Sequence, residues 1–403
     1  MNEFAEPTSP SLRILLCVTS LDRTQGGIAS ANRNIVRALF GMTSQPDVGV
    51  LAYHGGEPEL EAEYLEGKQF VFATGCNSSK RRFVGRYIAS CLRWRPNLVF
   101  VDHLHLSVIP YVLRWMIHTP YVMTCHGIEF DQGVTKLRSA AFRHAAARLT
   151  NSHYTADRLR QMFPGTMIAP CELALDDLGM PAEAGCELPL LPDAFGVMRP
   201  FGQQAALIVA RLSASERYKG HDQLIQVMPA VARNVPDAQL VIAGSGDDSE
   251  RLKALARDSG AGHAVLFAGF VAPALLATLY ARCRLFAMPS RGEGFGLVYL
   301  EAMRFAKPCL ASRVDAGSEV VVDGQTGLLV DPGNLEEIHT AIERVLSDPS
   351  FAERLGRAGL ARLNQRYRFQ QYRARLQQQL TALLPELAPS CAAETKDDML
   401  IPA

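Results

Sequence analysis

The chain has 403 residues, 48% of them apolar and 20% charged. That is long enough for two domains with sizeable cores, and it excludes a disordered chain. Lys plus Arg and Asp plus Glu both number 41, so the formal net charge is zero and no general attraction to nucleic acid follows.

Residues 1–11 lack a basic start followed by an apolar core, so no signal peptide is expected there. Nor does any apolar run approach the roughly 20 residues of a membrane span. Nine scattered Cys, none in a Cys-x-x-Cys pair, read as buried reduced thiols in a cytoplasmic protein. Residues 12–18 form a continuous apolar run, the pattern of a buried parallel strand. A loop carrying Gly26 and Gly27 follows, then a helix over 28–40. Two glycines between a first strand and a first helix let backbone approach a phosphate. They do not make a Gly-x-Gly-x-x-Gly fingerprint, so a dinucleotide fold gains nothing from them.

Residues 48–53 predict the next strand. The five Glu of 57–66 predict a solvated helix face. Residues 80–95 then interleave Lys80, Arg81, Arg82, Arg86, Arg93 and Arg95 with Phe83, Tyr87, Ile88, Leu92 and Trp94. Such a helix can lie on an anionic membrane surface, or simply pack on the sheet with a solvated basic face. Strands over 97–102 and 120–125 end in His103 and His126. Ligand clefts in open parallel sheets lie at the carboxyl ends of strands, which makes His126 the first candidate and His103 the second. His103 and His105 have no further ligand cluster nearby, so no metal site is expected. Residues 148–152 predict a short strand, with Ser152 as the N-cap of the next helix.

Residues 165–203 are rich in Pro, Gly and Asp and mark the domain boundary. Strand-and-helix alternation restarts at 205 and runs through 239–243, 264–268, 284–288, 308–311 and 327–330. Repeated βα units predict parallel sheets with helices on both faces. The fold class is therefore α/β: two facing Rossmann-like, doubly wound domains, 1–195 and 196–365, with a cleft between them. Directly after the first strand of the second domain stand Arg211, Arg217 and Lys219-Gly220. Two cations flanking a loop can neutralise a diphosphate leaving group. No convincing Asp-x-Asp metal motif is present, so no metal or other cofactor is expected. Gly244 and Gly269-Phe270 close two later strands on the same cleft edge.

The most informative stretch is 288–308. An apolar run stops at Pro289, a loop follows with Gly292, Gly294 and Gly296, and a helix then runs to Pro308. A strand, a Gly loop and a helix N-terminus make an anion site. Glu293 lies in the loop, and Glu301 lies on the helix, where a carboxylate can hold two adjacent hydroxyls. A phosphate, a diol and a sugar at these places describe a nucleotide sugar. The tail from 351 is helical in pattern, and 389–403 is expected to be a disordered end.

The run from Glu293 to Glu301, with Gly294, Phe295, Gly296 and Leu297 between, resembles the signature of retaining GT-B glycosyltransferases of the family-four, or group 1, type. With the tail helices, the resemblance covers nearly the whole chain. It implies that Glu293 contacts the donor sugar and Glu301 the ribose. It also implies that His126 lies near the reaction centre, and that Arg211 with Lys219 or Arg217 stabilises the diphosphate. Gly26 and Gly27 would lie near the diphosphate or the acceptor. Gly244 and Phe270 would line the nucleotide pocket, with Phe270 near the base. Residues 366–388 would cross back to the first domain. The function implied is transfer of a sugar from a UDP- or GDP-sugar to an acceptor hydroxyl with retained anomeric configuration, in polysaccharide or glycolipid synthesis. The acceptor would be a glycan or lipid-linked, at the inner face of the cytoplasmic membrane if residues 80–95 contact it. A non-catalytic nucleotide-sugar-binding subunit of a polysaccharide assembly is the alternative.

Overall fold

The computed structural model describes residues 12–22, 26–131, 133–178, 185 and 187–383. The expected end segment 389–403 lies outside the described residues. The first sheet contains β1 (Arg13–Val18), β2 (Asp47–Ala52), β3 (Phe72–Gly75), β4 (Leu98–Val101), β5 (Tyr121–Cys125), β6 (Ala147–Thr150) and β7 (Ala169–Pro170). Its order is β3-β2-β1-β4-β5-β6-β7, and every neighbouring pair is parallel. A small antiparallel hairpin follows, β8 (Leu191–Pro192) and β9 (Met198–Arg199). The second sheet contains β10 (Ala205–Val209), β11 (Gln239–Ala243), β12 (Val265–Gly269), β13 (Leu285–Met288), β14 (Cys309–Ser312) and β15 (Gly327–Val330). It is ordered β12-β11-β10-β13-β14-β15 and is also parallel throughout.

Both sheets are covered on both faces, which is why their strands read as unbroken apolar runs. In β1, Ile14, Leu16 and Val18 enter one core, while Leu15 and Cys17 enter the core on the opposite face. All seven described Cys are buried and unbridged. Strand order reverses between β1 and β4 and between β10 and β13. Those two switch points, at the carboxyl ends of the strands, are where parallel sheets open crevices.

The chain crosses between the domains twice, and the two crossings are bonded to each other. Residues 171–178 lead into the first and are bonded to the first domain, Asp176 to Arg33 and Asp177 to Arg37, each at 2.8 Å. The second is the kink between the helices Pro349–Arg366 and Phe369–Leu383. The Leu175 N–H donates to the Tyr367 carbonyl at 2.9 Å, and Arg366 pairs with Glu172 at 2.7 Å. The last helix then packs on the first helix, Gly27–Phe40, with Tyr372, Leu376 and Leu380 buried and Arg37 stacked 3.9 Å over the Phe369 ring.

The hairpin β8–β9 bridges from Asp193 to Leu266 of β12. One expectation is corrected. Of residues 57–66, only Ala62–Leu65 is helical. Pro58 interrupts the run, and Glu57, Glu59 and Glu61 alternate instead of recurring at helical spacing. Among the described residues no helix is long and apolar enough to cross a membrane.

Candidate active site

The loop 289–296 leaves β13 and ends at Gly296, whose φ of 93° places it in the left-handed region as N-cap of the helix Leu297–Arg304. A Cβ there would also strike the Tyr299 ring at 2.3 Å, so only glycine fits. At Gly294 a Cβ would stand 2.1 Å from the carbonyl oxygen of His126. Its missing side chain lets the two domains touch. The Gly294 carbonyl accepts from the hydroxyls of Ser152 at 2.9 Å and Thr155 at 3.4 Å, both in the first domain. The first glycine loop closes on the same place: Leu297 Cδ1 lies 3.7 Å from where a Gly27 Cβ would be, beside Gly26 at the N-cap of the first helix. The two glycine loops thus face each other across the cleft.

Glu293 and Lys219 meet inside it, with Nζ 2.9 Å from Oε2 and both side chains largely buried. Burial works against the Lys219 ammonium, but the Glu293 carboxylate outweighs it and holds the pKa above its usual range. The backbone N–H of Glu293 donates to Asp315 Oδ2 at 3.0 Å, and Gly317 N–H donates to Oδ1 at 2.9 Å. Asp315 is fully buried, and that burial pushes its carboxyl up to about 7. Glu301 is held by the buried Tyr280, whose hydroxyl donates to Oε2 at 2.8 Å. Burial raises Glu301 to about 7 as well.

His126 closes β5 and is almost fully buried. Its Nε2 lies 2.8 Å from the carbonyl oxygen of Asp102. Burial keeps the imidazole below its usual pKa, against the pull of Asp102, which favours the neutral ring. A neutral ring bonded to a carbonyl carries its proton on Nε2, which leaves Nδ1 as an acceptor. The buried Asp102 carboxylate also fixes the start of the first loop: its Oδ2 accepts from Thr19 N–H at 2.7 Å and from Asn32 Nδ2 at 2.6 Å. His103 instead caps the next helix, its Nδ1 accepting from His105 N–H at 3.2 Å. Burial and the neighbouring His126 lower it to about 3.

The structure separates the three candidate cations. Lys219 is in the cleft beside Glu293. Arg211 is 71% exposed and pairs with Glu216. Arg217 is committed to Asp248 at 2.8 Å, which Arg251 also holds at 2.6 Å. Phe270 is 74% exposed at the end of β12, available to a planar ligand. Phe295 is not: it is buried, edge-on to Tyr367 with ring centroids 5.8 Å apart. Its expected place among the donor contacts is therefore corrected; the ring belongs to the core. Gly244 packs against the Ala210 carbonyl, which a Cβ would approach to 1.8 Å.

Sequence reasoning missed Asp102, Asp315 and Tyr280. The first stands directly after an apolar strand, a position where a carboxylate reads as a site residue. Asp315 follows β14 by three residues and carries a weaker form of the same signal. Tyr280 sits in an apolar helix, Pro273–Arg282, and carries none.

Residues 25–169 match the family model for Glycosyltransferase Family 4, and residues 201–362 match that for Glycosyl transferases group 1. The chain is 38% identical over 176 residues to the GDP-mannose-dependent alpha-(1-6)-phosphatidylinositol monomannoside mannosyltransferase of Mycolicibacterium smegmatis, covering 42% of this chain and 46% of that one. It thus spans less than half the length of that relative. It is 38% identical over 274 residues to an uncharacterized glycosyltransferase of Methanocaldococcus jannaschii, covering 66% of this chain and 67% of that one. In fold it is similar to sucrose-phosphate synthase from Thermosynechococcus elongatus, with a TM-score of 0.74 at 20% identity over 93% of this chain and 100% of that one.

Proposed function

The chain belongs to the group 1 glycosyltransferases and has their GT-B fold, and from that premise we propose a retaining, metal-independent enzyme that moves a sugar from a GDP- or UDP-sugar to an acceptor hydroxyl. The observation that carries this reading is the Lys219–Glu293 pair beside the N-terminus of the helix Leu297–Arg304. A donor diphosphate would meet the Lys219 ammonium and the first N–H groups of that helix. Glu301 would take the ribose hydroxyls, Phe270 would lie against the base, and Glu293 and His126 would orient the sugar. Arg211, exposed and paired with Glu216, would turn to the diphosphate as the second cation. The bond between sugar C1 and the phosphate oxygen breaks as the acceptor oxygen bonds C1 on the same face. The departing phosphate oxygen takes the acceptor proton. The domains closed around this centre would exclude water and limit donor hydrolysis.

We further propose a lipid-linked acceptor at the inner face of the cytoplasmic membrane, in glycolipid or polysaccharide synthesis. Residues 71–170 hold thirteen Lys and Arg against four Asp and Glu, although the whole chain is neutral. Two of those four, Asp102 and Glu129, are buried. The helix Lys80–Trp94 carries much of this charge. Exposed Leu92 and Trp115 give the same region apolar anchors. A phospholipid acceptor in the M. smegmatis relative's name agrees in kind.

The test is a thermal-shift screen against UDP-, GDP-, ADP- and dTDP-sugars, with GDP-mannose as the first probe. A true donor raises the melting temperature by mass action. Incubation of that donor with lipid extracts then checks for transfer, and absence of stabilisation by any nucleotide sugar rejects the reading.

A further inference from the structure

The helix His153–Met162 of the first domain begins at the cleft, and its N-terminus is occupied by a side chain of the second domain. Glu319 Oε2 accepts from the N–H of His153 at 2.9 Å, and Oε1 accepts from the N–H of Tyr154. A carboxylate held by two successive N–H groups at a helix start has favourable charge-assisted geometry. Three contacts surround it. The Tyr154 hydroxyl donates to the Val314 carbonyl at 2.9 Å. Ser152 caps the helix through the Thr155 N–H while donating to Gly294. The Ala316 N–H donates to the Glu293 carbonyl at 3.2 Å, so the segment bearing Glu319 is bonded to the donor loop itself.

The other end of Glu319 is anchored toward the hinge. Its carbonyl accepts from Arg362 at 2.7 Å and from the Tyr367 hydroxyl at 3.1 Å. Tyr367 is the residue at which the chain crosses back, and its carbonyl holds Leu175, which leads into the first crossing. One residue thus joins the hinge, through its backbone, to the opposite domain, through its carboxylate. Its neighbour segment carries Glu293.

We infer that Glu319 is a positioning residue for transfer: docked on the His153–Met162 helix, it sets the closed angle at which the Glu293–Gly296 loop rests on His126. It touches no reacting atom. In an opened molecule the carboxylate leaves the helix and is hydrated, and the two N–H groups lose their anion. Each opening therefore breaks charge-assisted bonds that each closing restores, which gives the closed state its share of the equilibrium before substrate arrives. The inference rests on the transfer reaction proposed above, but its primary test needs no substrate.

The experiment is small-angle X-ray scattering on the ligand-free full chain, comparing wild type with Glu319→Ala, Glu319→Gln and Tyr154→Phe. Glu319→Ala is expected to raise the radius of gyration. Glu319→Gln, which can still accept one N–H bond, should restore part of the closed form. Tyr154→Phe keeps the ring in place and should shift the balance in the same direction by less, which preserves the test if Glu319→Ala does not fold. With the nucleotide sugar identified by thermal shift, the ratio of donor hydrolysis to transfer should rise about tenfold in Glu319→Ala, the scale of a lost charge-assisted hydrogen bond. Free nucleotide, held by the second domain alone, should bind as in wild type. A merely structural role lowers the melting temperature and leaves that ratio unchanged. Scattering curves for both Glu319→Ala and Tyr154→Phe that overlay wild type overturn the proposal, whether or not transfer has been detected.

Discussion

Lys219 and Glu293, seventy-four residues apart in the chain, are paired at 2.9 Å inside the cleft. The pair has a direct consequence for ligand entry. A diphosphate carries more charge than one carboxylate and would compete for the same ammonium. Were Lys219 drawn to it, Glu293 would be freed to accept from sugar hydroxyls. Each group holds the other in place.

Removing that ammonium should remove leaving-group stabilisation. Lys219→Ala is expected to lower kcat about a hundredfold or more, in the range seen for loss of one group that stabilises developing charge. Arg217→Ala should cost on the order of 1–3 kcal/mol of stability, because the buried Asp248 loses one of its two partners and keeps Arg251, with little change in rate. Steady-state kinetics and thermal melts on both variants decide the matter. The opposite ranking would transfer the role to Arg217.

Donor affinity should depend on pH through Glu301. Burial raises this carboxyl to about 7, so it is ionised above that value and protonated below it. Hydroxyl groups donate to the carboxylate, so donor KM should rise as pH falls from 8 to 6. Glu301→Gln should weaken donor binding by about 1–3 kcal/mol at pH 8 and flatten the pH dependence. An unaltered affinity would remove Glu301 from the site.

If fixed cations perform the neutralisation, a chelator should leave the rate within about twofold of the untreated enzyme, given that Lys219 supplies the charge a metal would otherwise bring. Assaying transfer after EDTA treatment and dialysis checks this. Abolished activity restored by a divalent ion would reinstate a metal.

Membrane contact is checked by vesicle sedimentation. Vesicles containing anionic phospholipid should retain the protein, and neutral vesicles should not. Replacing Lys80, Arg81, Arg82 and Arg86 with Ser should weaken binding by about 1 kcal/mol per charge that lies near the surface. Unchanged binding by this variant would reject the helix Lys80–Trp94 as the contact.

Much of the fold was legible because β1, β5, β10 and β13 are buried on both faces and therefore apolar but for Arg13 and Thr124. The glycine loops were legible because they break those runs at strand ends. Glu293 and Glu301 were singled out by the resemblance of the whole run about Gly296, not by their spacing alone. What lay beyond reading was which partner each polar group selects. Nothing in the segment 211–219 says that Asp248 captures Arg217 while Glu293 captures Lys219, since both acids are distant in sequence. Phe295 stands among loop residues, yet its ring turns into the core because Tyr367, seventy-two positions later, offers a face for it. Nor does the sequence say that Gly294 lies against the His126 carbonyl.

The packing of Phe369–Leu383 on Gly27–Phe40 also sets an order of events during synthesis. Tyr372 and Leu376 line the same small void as Ala31 and Ile35, so part of the first domain's core comes from the far end of the chain. A nascent polypeptide still emerging from the ribosome at residue 366 has made both sheets but leaves that apolar face wet. The earliest domain to appear is thus among the last to be completed, and ribosome-bound chains arrested there should be open to proteases in a way the released protein is not.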